Sequence, residues 1–325
     1  MIDIVGLGEL LIDFVCIKAD ELNYPILSGK PGGAIGNFLA AAARYGSSCG
    51  IISKVGDDSF GHLLKKTMTD AGIAADNVIV DRDFFTTLAF VTLDEHGNRE
   101  FSFARKPGAD IMLRTGEIDE KLIRNCRVFH FGTLSLTDEP ARGATKHAIS
   151  IAKQNGQLIS LDPNLRKPLW LSENAAKQAI DFALAQADII KISDEEIDFM
   201  WGLTPEAGAK KLLEEYGASL VYATLGPKGC HVANKRDSVT VDAPKGINAV
   251  DTTGAGDIFG GSAMSQLLKI GKRPEQLSRE EMFRIAQFAC SAASLSTQKQ
   301  GGISSIPDEQ AVLELVGSAD RENVK

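Results

Sequence analysis

The sequence predicts an α/β protein with a central, mostly parallel sheet, helices on both faces of that sheet, and a small antiparallel β lid. First, short apolar runs typical of buried strands alternate with helical segments through most of the chain. Second, residues 14–31 and 84–106 interrupt this alternation with strand-like inserts, which we assign to the lid. Third, the 325 residues, 44% of them hydrophobic, contain no linker, repeat or charge block, so we expect a single domain over residues 1–325.

The elements of the first half follow from local signals. Apolar runs predict the strands, because strands buried in a parallel sheet are apolar on both faces. Gly46 and Gly72 stand where helices are expected to end. The predicted strands are 2–8, 49–55 and 78–80, and the predicted helices are 36–45 and 58–71.

The two inserts carry different signals. Residues 14–30 contain strand-like pieces around a polar stretch. Residues 86–93 and 100–104 flank His96-Gly97-Asn98, a pattern typical of an antiparallel hairpin. Exposed lid strands favour pairing with a second subunit, so we expect a homodimer through the lid.

From Val128 onward the pattern is one of regular βα units. Pro140, Ser172 and the pair Thr204-Pro205 are placed to begin helices. Ligands of parallel sheets bind beyond the carboxyl ends of the strands, which is where we expect the site. The predicted strands are 128–134, 158–162, 189–192 and 220–225, and further helices follow Asp257, span 283–295 and follow Pro307.

Composition excludes several classes of function. A net charge of −8 argues against nucleic acid or an anionic membrane as the main partner. The five cysteines are scattered and form no Cys-x-x-Cys pair, as expected of free thiols in a reducing compartment. The start, Met1-Ile2-Asp3-Ile4-Val5, lacks a basic region, and no apolar run is long enough to cross a membrane. We therefore expect a cytoplasmic protein.

Residues 247–261 form the most informative segment. Asp251 and two threonines precede Gly254-Ala255-Gly256, and Asp257 follows at the start of an apolar helical run. Small residues let backbone N–H groups surround an anion, and the helix N-terminus adds partial positive charge. A carboxylate there is suited to take a proton from a hydroxyl while the amides hold a phosphoryl group. Taken alone, the segment also fits a plain helix entry capped by Thr253.

A second glycine-rich segment, Gly29-Lys30-Pro31-Gly32-Gly33-Ala34-Ile35-Gly36-Asn37, precedes the Ala-rich helix. Its glycines allow a ligand to approach the backbone closely, and Asn37 offers a donor and an acceptor to hydroxyl groups. A turn followed by a helix cap explains the same residues. Asp13 follows apolar residues and is expected to have a partner if it is buried; the alternative is a surface turn acid.

Further candidates follow other strands. Phe103 and Arg105 end the lid hairpin, where they would either cover a sugar ring or pack the lid on the core. Arg166 stands just beyond a strand, where a guanidinium can hold sugar or phosphoryl oxygens. Glu196 ends the string Lys191-Ile192-Ser193-Asp194-Glu195-Glu196, whose acids also complement a helix dipole.

Three other patterns carry no site. Gly6-Leu7-Gly8 resembles the start of a dinucleotide fingerprint, but Leu11 occupies the third glycine position. The sequence contains no Gly-x-x-x-x-Gly-Lys-Ser/Thr, which excludes a P-loop kinase. The histidines share no metal-ligand spacing, so we interpret them as structural.

Residues 29–37 and 247–261 resemble the two signatures of the ribokinase-type (PfkB-type) carbohydrate kinases, in order, and the resemblance extends from Gly8 to Pro307. It implies a ribokinase-like fold and an ATP-dependent sugar kinase. Gly36 replaces a more usual alanine and is expected to loosen the helix start. The strings at 101–110, 162–166 and 168–170 are similar to the fructokinase branch of the family.

The resemblance also implies roles for individual residues. Asp257 would be the catalytic base, with the amides of Gly254, Ala255 and Gly256 as the anion hole and Arg166 beside them. Glu196 would organise magnesium-bound water, although Ser193 stands where the family usually has Asn. The implied sugar-binding residues are Asp13, Gly32, Gly33, Asn37, Phe103, Arg105 and Asp257. The implied nucleotide-binding residues are Lys191, Thr224, Gly226, Gly229, Gly254 and Gly256. The implied ligands of a monovalent cation, K⁺, are Asp251, Thr253, Thr297, Gln300, Gly302 and Ser305.

The activity implied is phosphorylation of the primary hydroxyl of fructose by ATP with Mg²⁺, giving fructose 6-phosphate and ADP. Three alternatives stay open at this point. The acceptor is another compound, such as aminoimidazole riboside, ribose or a ketodeoxy sugar acid; or the protein is a catalytically silent sugar-binding protein on the same scaffold; or it is a hydride-transfer enzyme, which the interrupted dinucleotide fingerprint disfavours.

Overall fold

The computed structural model describes residues 1–22, 24–93 and 99–322. Strands and helices are numbered separately in chain order. The strands are β1 (Ile2–Leu7), β2 (Leu11–Ala19), β3 (Pro25–Gly32), β4 (Cys49–Gly56), β5 (Ile73–Ala74), β6 (Val78–Asp81), β7 (Thr87–Leu93), β8 (Arg99–Ala104), β9 (Cys126–Gly132), β10 (Leu158–Asp162), β11 (Ile189–Ser193), β12 (Leu220–Thr224), β13 (Gly229–Asn234) and β14 (Ser238–Asp242).

Helices connect most of the parallel strands, and polar side chains cap several of them. Asp58 accepts hydrogen bonds from the amides of Phe60 and Gly61, and Ser172 caps its helix as predicted. Within the described chain, no helix is both long enough and apolar enough to span a bilayer. The helices are α1 (Ala34–Arg44), α2 (Ser59–Asp70), α3 (Glu120–Arg124), α4 (Ala141–Gln154), α5 (Glu173–Leu184), α6 (Asp194–Trp201), α7 (Pro205–Glu214), α8 (Ala255–Ile270), α9 (Arg279–Ser296) and α10 (Glu309–Glu322).

The main sheet has ten strands in the part of the chain that the structure describes, in the order β14-β13-β12-β11-β10-β9-β1-β4-β5, with β6 also beside β4. The strands from β12 through β1 to β5 pair in parallel, as the alternation of strands and helices predicts. Among the described strands of this sheet only β13 is reversed, and it pairs antiparallel with both β12 and the edge strand β14.

Neighbouring residues of a strand face opposite sides of the sheet, and each side has its own apolar core. Ile4 of β1 joins the core that contains Leu39 of α1 and Phe259 of α8, whereas Val5 joins the core that contains Ile180 of α5. Burying each such side chain contributes about 1.5–3 kcal/mol relative to exposure. Helices therefore cover both faces, as predicted.

The lid is a separate sheet of four strands in the order β3-β2-β7-β8. Each half is an antiparallel hairpin, β2 with β3 and β7 with β8. The two hairpins join through a parallel pair, in which Leu11–Val15 of β2 lie beside Thr87–Val91 of β7. The sequence signals predicted the hairpins but not this parallel join, because six other elements lie between its partners in the sequence: β3, α1, β4, α2, β5 and β6.

Most predicted elements appear within a few residues of their expected bounds. Helix α1 begins at Ala34 rather than at residue 36, and β2 begins at Leu11, three positions before the expected insert. The β13–β14 hairpin was not predicted, although Asn234 forms its turn by accepting hydrogen bonds from the amides of Arg236 and Asp237. The turn expected at His96-Gly97-Asn98 lies outside the described residues.

Candidate active site

Three adjacent parallel strands end at one edge of the sheet, and each ends on a polar side chain. Asp162 closes β10, Ser193 closes β11 and Thr224 closes β12. The N-terminus of α8 and the lid strand β2 bring further polar residues to the same edge. The site therefore lies at the carboxyl ends of the strands, where parallel sheets bind their ligands.

The entry to α8 requires glycine. Gly254 has a left-handed backbone, with φ 75°, and precedes the first helical residue, Ala255. A Cβ atom at Gly254 would lie 3.0 Å from Nδ2 of Asn37 and 3.0 Å from Cα of Gly302. Because glycine has no side chain, the first turn of α8 can meet a ligand directly, as an anion-binding helix N-terminus must.

Asp257 lies in the first turn of α8, and its side chain contacts the sugar-side segment that precedes α1. The residue is 8% exposed, and its Oδ2 accepts a hydrogen bond of 2.9 Å from Nδ2 of Asn37. Oδ1 of Asn37 is buried and has no hydrogen-bond partner among the described residues. This hydrogen bond thus joins Asn37 of the first glycine-rich segment to Asp257 of the second.

Burial raises the pKa of Asp257 to about 7, and the nearby carboxylate of Asp162 raises it as well. The hydrogen bond from Asn37 and the positive charge of Lys191 act in the opposite direction. A carboxyl group whose pKa lies near neutral pH can both accept a proton and release it, which is the property required of a general base.

A buried ion pair lies beneath the first turn of α8. Nζ of Lys191 is 2.9 Å from Oδ2 of Asp162, and the two side chains are 13% and 7% exposed. Burial lowers the pKa of Lys191, but the neighbouring carboxylates of Asp162 and Glu196 outweigh burial, so that its pKa is raised. A Cβ atom at Gly256 would lie 2.9 Å from the lysine Nζ, so glycine leaves room for this ammonium group.

Glu196 has a structural task at the start of α6. Its Oε2 accepts hydrogen bonds from N and Oγ of Ser193 in a capping box, and Oε1 accepts one of 2.8 Å from the amide of Leu165. A carboxylate has about four lone-pair positions, so one acceptor position remains. This arrangement fits a bond to a metal-bound water better than direct coordination. Within the described residues, no group of three or more His, Cys, Asp or Glu side chains could cage a metal ion.

The sugar-side residues cluster where β2 and β3 lead into α1. A Cβ atom at Gly32 would overlap Oδ2 of Asp13, and one at Gly33, whose φ is 106°, would overlap the carbonyl oxygen of Glu9. Burial raises the pKa of Asp13 to about 7; Arg166 acts to lower this pKa, whereas Glu9 acts to raise it. Gly32 therefore leaves room for the Asp13 carboxylate, and Gly33 leaves room for the backbone of Glu9 beside the start of α1.

Arg166 belongs to the loop that follows β10. Asn164 turns this loop with φ 48°, and its amide donates to Oδ1 of Asp162 over 3.1 Å. The charge of Arg166 acts on both Asp13 and Asp257 to lower their pKa. The predicted catalytic carboxyl group and the predicted sugar-binding carboxyl group thus face one shared cation.

Arg105 lies at the base of the lid. Its guanidinium is directed at the chain itself, donating to Oδ2 of Asp110 (2.8 Å), Oγ1 of Thr137 (3.0 Å) and the carbonyl of Leu134 (2.9 Å). The residue is 7% exposed, because the buried Asp110 carboxylate holds it at the base of the lid. Phe103 is half-buried in β8, opposite Ala89 of β7. A direct contact of either residue with a sugar remains a prediction.

The segment predicted to bind nucleotide connects β12 to β13. Oγ1 of Thr224 donates to the carbonyl of Ile192 over 3.4 Å. Gly226 and Gly229 have φ angles of 55° and 113°, and a Cβ atom at Gly229 would overlap the carbonyl oxygen of Val241. Both glycines are needed for this tight turn, whether or not it also contacts a nucleotide.

Two loops beside α8 hold the residues predicted to bind a monovalent cation. Asp251 accepts hydrogen bonds from N and Oγ1 of Thr253 through Oδ1, and from the amide of Gly301 through Oδ2. The carbonyl of Thr297 accepts hydrogen bonds from the amides of residues 250 and 251. The carbonyl of Gly302 accepts hydrogen bonds from N and Oγ of Ser305. Gln300 accepts a bond from Ser304 through its carbonyl. The structure brings the two loops together, and several of the oxygens predicted to bind the cation already accept hydrogen bonds from the protein.

Two site residues were missed as candidates. Asp162 carries the partner charge for Lys191, and Glu9 accepts a 3.0 Å hydrogen bond from the amide of Ala34 at the start of α1. An acid at the last position of a predicted strand was the available signal for Asp162. Glu9 follows a glycine in a strand-to-loop junction, and its partner became visible only when α1 was in place.

Comparison with known proteins agrees with this geometry. The sequence profile of the pfkB family carbohydrate kinases matches residues 1–309, so the chain belongs to that family. The protein is therefore a carbohydrate kinase, an enzyme that transfers a phosphoryl group to a sugar hydroxyl.

Within this family, the chain is similar to several proteins named fructokinase or ribokinase. The chain is 40% identical over 317 residues to probable fructokinase-4 of Arabidopsis thaliana, covering 96% of each sequence. The structure of fructokinase from Vibrio cholerae O395 bound to fructose, ADP and calcium ion is 29% identical, with a TM-score of 0.85 over 97% of this chain and 99% of that one. A putative ribokinase II from E. coli in complex with ATP and Mg²⁺ is 28% identical, with a TM-score of 0.86 over 98% of this chain and 100% of that one. These similarities confirm the predicted ribokinase-like fold.

Proposed function

We propose that this kinase transfers the terminal phosphoryl group of ATP to the primary hydroxyl of fructose, giving fructose 6-phosphate and ADP. The observation that supports it best is the contact between Asp257 and Asn37, which joins the predicted phosphoryl-binding helix entry to the predicted sugar-binding segment. The names of the relatives favour fructose among the possible sugars.

In this proposal Asp257 takes the proton of the attacking hydroxyl. Its carboxylate is buried in the first turn of α8, next to the amides of residues 254–256 that would hold the transferring group. Asp13 would accept hydrogen bonds from sugar hydroxyls, and Arg166 lies where it can balance the negative charges that meet here. Orientation of the two substrates supplies much of the rate increase in phosphoryl transfer.

Magnesium, when bound with the nucleotide, supplies positive charge to its phosphate oxygens. The remaining acceptor position on Glu196 suits a water of the metal. We propose K⁺ as a second cation at the loops of Asp251 and Gly302, and its oxygen-rich surroundings support this assignment.

We also propose that the enzyme is a cytoplasmic homodimer that pairs through its lid. The lid hairpin of β2 and β3 exposes Ile17 (48% exposed), and its tip exposes Leu22 (76%) and Tyr24 (64%). All five cysteines are free thiols, and four of them are buried, as suits a reducing compartment. Light scattering of the wild type and of Tyr24→Asp tests the dimer, which the substitution should weaken.

An acceptor panel tests the activity. ADP release is measured with fructose, ribose, aminoimidazole riboside and a ketodeoxy sugar acid at equal concentrations of ATP and Mg²⁺. We expect the highest kcat/KM with fructose. A higher value with another acceptor would overturn the choice of fructose, and no ADP release with any acceptor would favour a silent sugar-binding protein.

A further inference from the structure

A cavity of about 250 Å³ lies between α4 and α5, and it shares no lining residue with the candidate active site. Leu136 and Thr137, which follow β9, line it together with residues 170, 171, 175, 178, 179 and 182 and two cationic residues of α4. Its volume is somewhat below the range of about 300–1,000 Å³ that is typical of sites for drug-sized ligands. It therefore suits a smaller compound.

The charge of this cavity is positive. Arg142 and Lys146, one turn apart on α4, both line it, and none of its lining residues is acidic, although the chain as a whole has a net charge of −8. The Arg142 guanidinium is fixed in place by the carbonyls of Leu136 (2.9 Å) and Thr137 (2.5 Å). Its nearest carboxylate, that of Glu139, is 3.9 Å away and does not line the cavity.

Aromatic rings form the opposite wall. Nζ of Lys146 lies 4.8 Å from the centre of the Phe182 ring, which orients its charge over that wall. Trp170 also lines the cavity, and its Nε1 is buried without a hydrogen-bond partner among the residues that the structure describes. The chain covers this N–H group, so Trp170 contributes the surface of its ring to the wall.

From this combination we propose that the cavity is a binding site for a small organic anion, a carboxylate or phosphate ester with an apolar or aromatic body. The anionic group would lie near Arg142 and Lys146. The body of the ligand would pack on Phe182 and on the small side chains of Ala175 and Ala179.

The walls of this anion cavity connect to the candidate active site. Oγ1 of Thr137 accepts a 3.0 Å hydrogen bond from Arg105 at the base of the lid. Trp170 directly follows the turn Lys167–Leu169, whose preceding residue is Arg166. An anion bound here would therefore alter the KM for the sugar more than the KM for ATP; this consequence, unlike the binding itself, rests on the proposed function.

Binding is tested without any activity assay. The chain contains two tryptophans, so Trp201→Phe leaves Trp170 as the one fluorescent reporter at the cavity. Phenyl phosphate and benzoate are titrated as probes, with neutral benzamide as control, and saturation-transfer NMR of the unaltered chain repeats the measurement. We expect a saturable change in Trp170 fluorescence with an anionic probe and none with benzamide. The stronger of the two anions identifies the head group.

Variants locate the bound probe. Lys146→Ala should weaken binding about tenfold, or about 1.4 kcal/mol, and Ala175→Leu should abolish it by filling the cavity. Lys153→Ala removes a charge from the same helix outside the cavity and should leave binding unchanged. Three results would each overturn the proposal: no saturable signal from either anion, equal weakening by Lys146→Ala and Lys153→Ala, or displacement of the probe by ATP.

Discussion

Asn37 and Asp257 are hydrogen-bonded across 2.9 Å, although 220 positions separate them in the sequence. One residue lies in the first turn of α1 and the other in the first turn of α8. The two helices can approach this closely because Gly261 has no side chain: a Cβ atom there would overlap the backbone carbonyl of Phe38. Their crossing therefore sets the distance between the proposed sugar site and the proposed base.

Replacement of the proposed base tests its role directly. Asp257→Asn keeps the size of the side chain but removes its ability to take a proton, so turnover should fall about 100- to 10,000-fold. Binding of ATP, measured by calorimetry, should remain close to that of the wild type. The exposed Asp198→Asn on α6 serves as the matched control. Turnover of Asp257→Asn near the wild-type value would contradict the assignment.

Asn37→Ala should move the pH dependence of the reaction. The Asn37 hydrogen bond lowers the pKa of Asp257, which burial raises to about 7. Without that bond the pKa rises, and since the base must be ionised, the decline of kcat/KM on the acidic side should begin at a higher pH. The measurement is kcat/KM for the sugar from pH 5 to 9, and an unchanged acidic limb would contradict the prediction.

Asp13→Asn should make the protein more stable at alkaline pH. Burial raises the pKa of Asp13 to about 7, so its ionised form disfavours folding above that pH. As the pH falls through 7 the folded wild type gains a proton that the unfolded chain does not take up until near pH 4, and the wild type is stabilised. The Tm of the variant should thus exceed that of the wild type at pH 8, with a smaller difference at pH 5. A difference independent of pH would exclude this explanation.

Gly256→Ala should impair catalysis without unfolding the protein. The added methyl group would lie 2.9 Å from Nζ of Lys191 and would displace the flexible lysine from beneath α8. A displacement of about 1 Å in such a site can reduce the rate up to about 100-fold. Gly116→Ala, where no atom lies within 4 Å of the new methyl group, is the control for kcat and Tm. Equal kcat for both variants would show that the lysine position is unimportant.

Gly261→Ala should destabilise the fold itself. The new methyl group would overlap the backbone of Phe38, which cannot move without shifting α1, and overpacking of this kind costs about 1–3 kcal/mol. Gly317→Ala in α10 meets no atom within 4 Å and should be neutral or slightly stabilising. Urea denaturation of both variants measures the difference. A Gly261→Ala variant as stable as the wild type would contradict the close crossing of α1 and α8.

Much of the fold could be predicted because its signals are local. Apolar runs and caps such as Asp58 and Ser172 depend only on residues a few positions apart, so most strands and helices of the main sheet followed from the sequence, the β13–β14 hairpin excepted. The parallel join between β2 and β7 could not be predicted in this way, since nothing in either strand specifies a distant partner.

Some features of the candidate active site could also be predicted from the sequence, and others could not. Glycines at 32, 254 and 256 indicated backbone positions that a ligand or a charged group approaches, and the structure explains each of them by a specific neighbour. The surroundings of Arg105 were not predictable, because its partners Asp110, Thr137 and Leu134 come from three places in the fold. The role of an isolated acid such as Asp162 could not be predicted, because its partner Lys191 comes from the adjacent strand β11.

The parallel join within the lid has a consequence for biosynthesis. The first hairpin leaves the ribosome long before the second, and the two cannot pair until β7 has been synthesised. Contacts between distant segments form slowly because a long loop must first be closed. The lid is thus expected to assemble late. A newly made chain would then complete much of its main sheet before it can enclose a substrate.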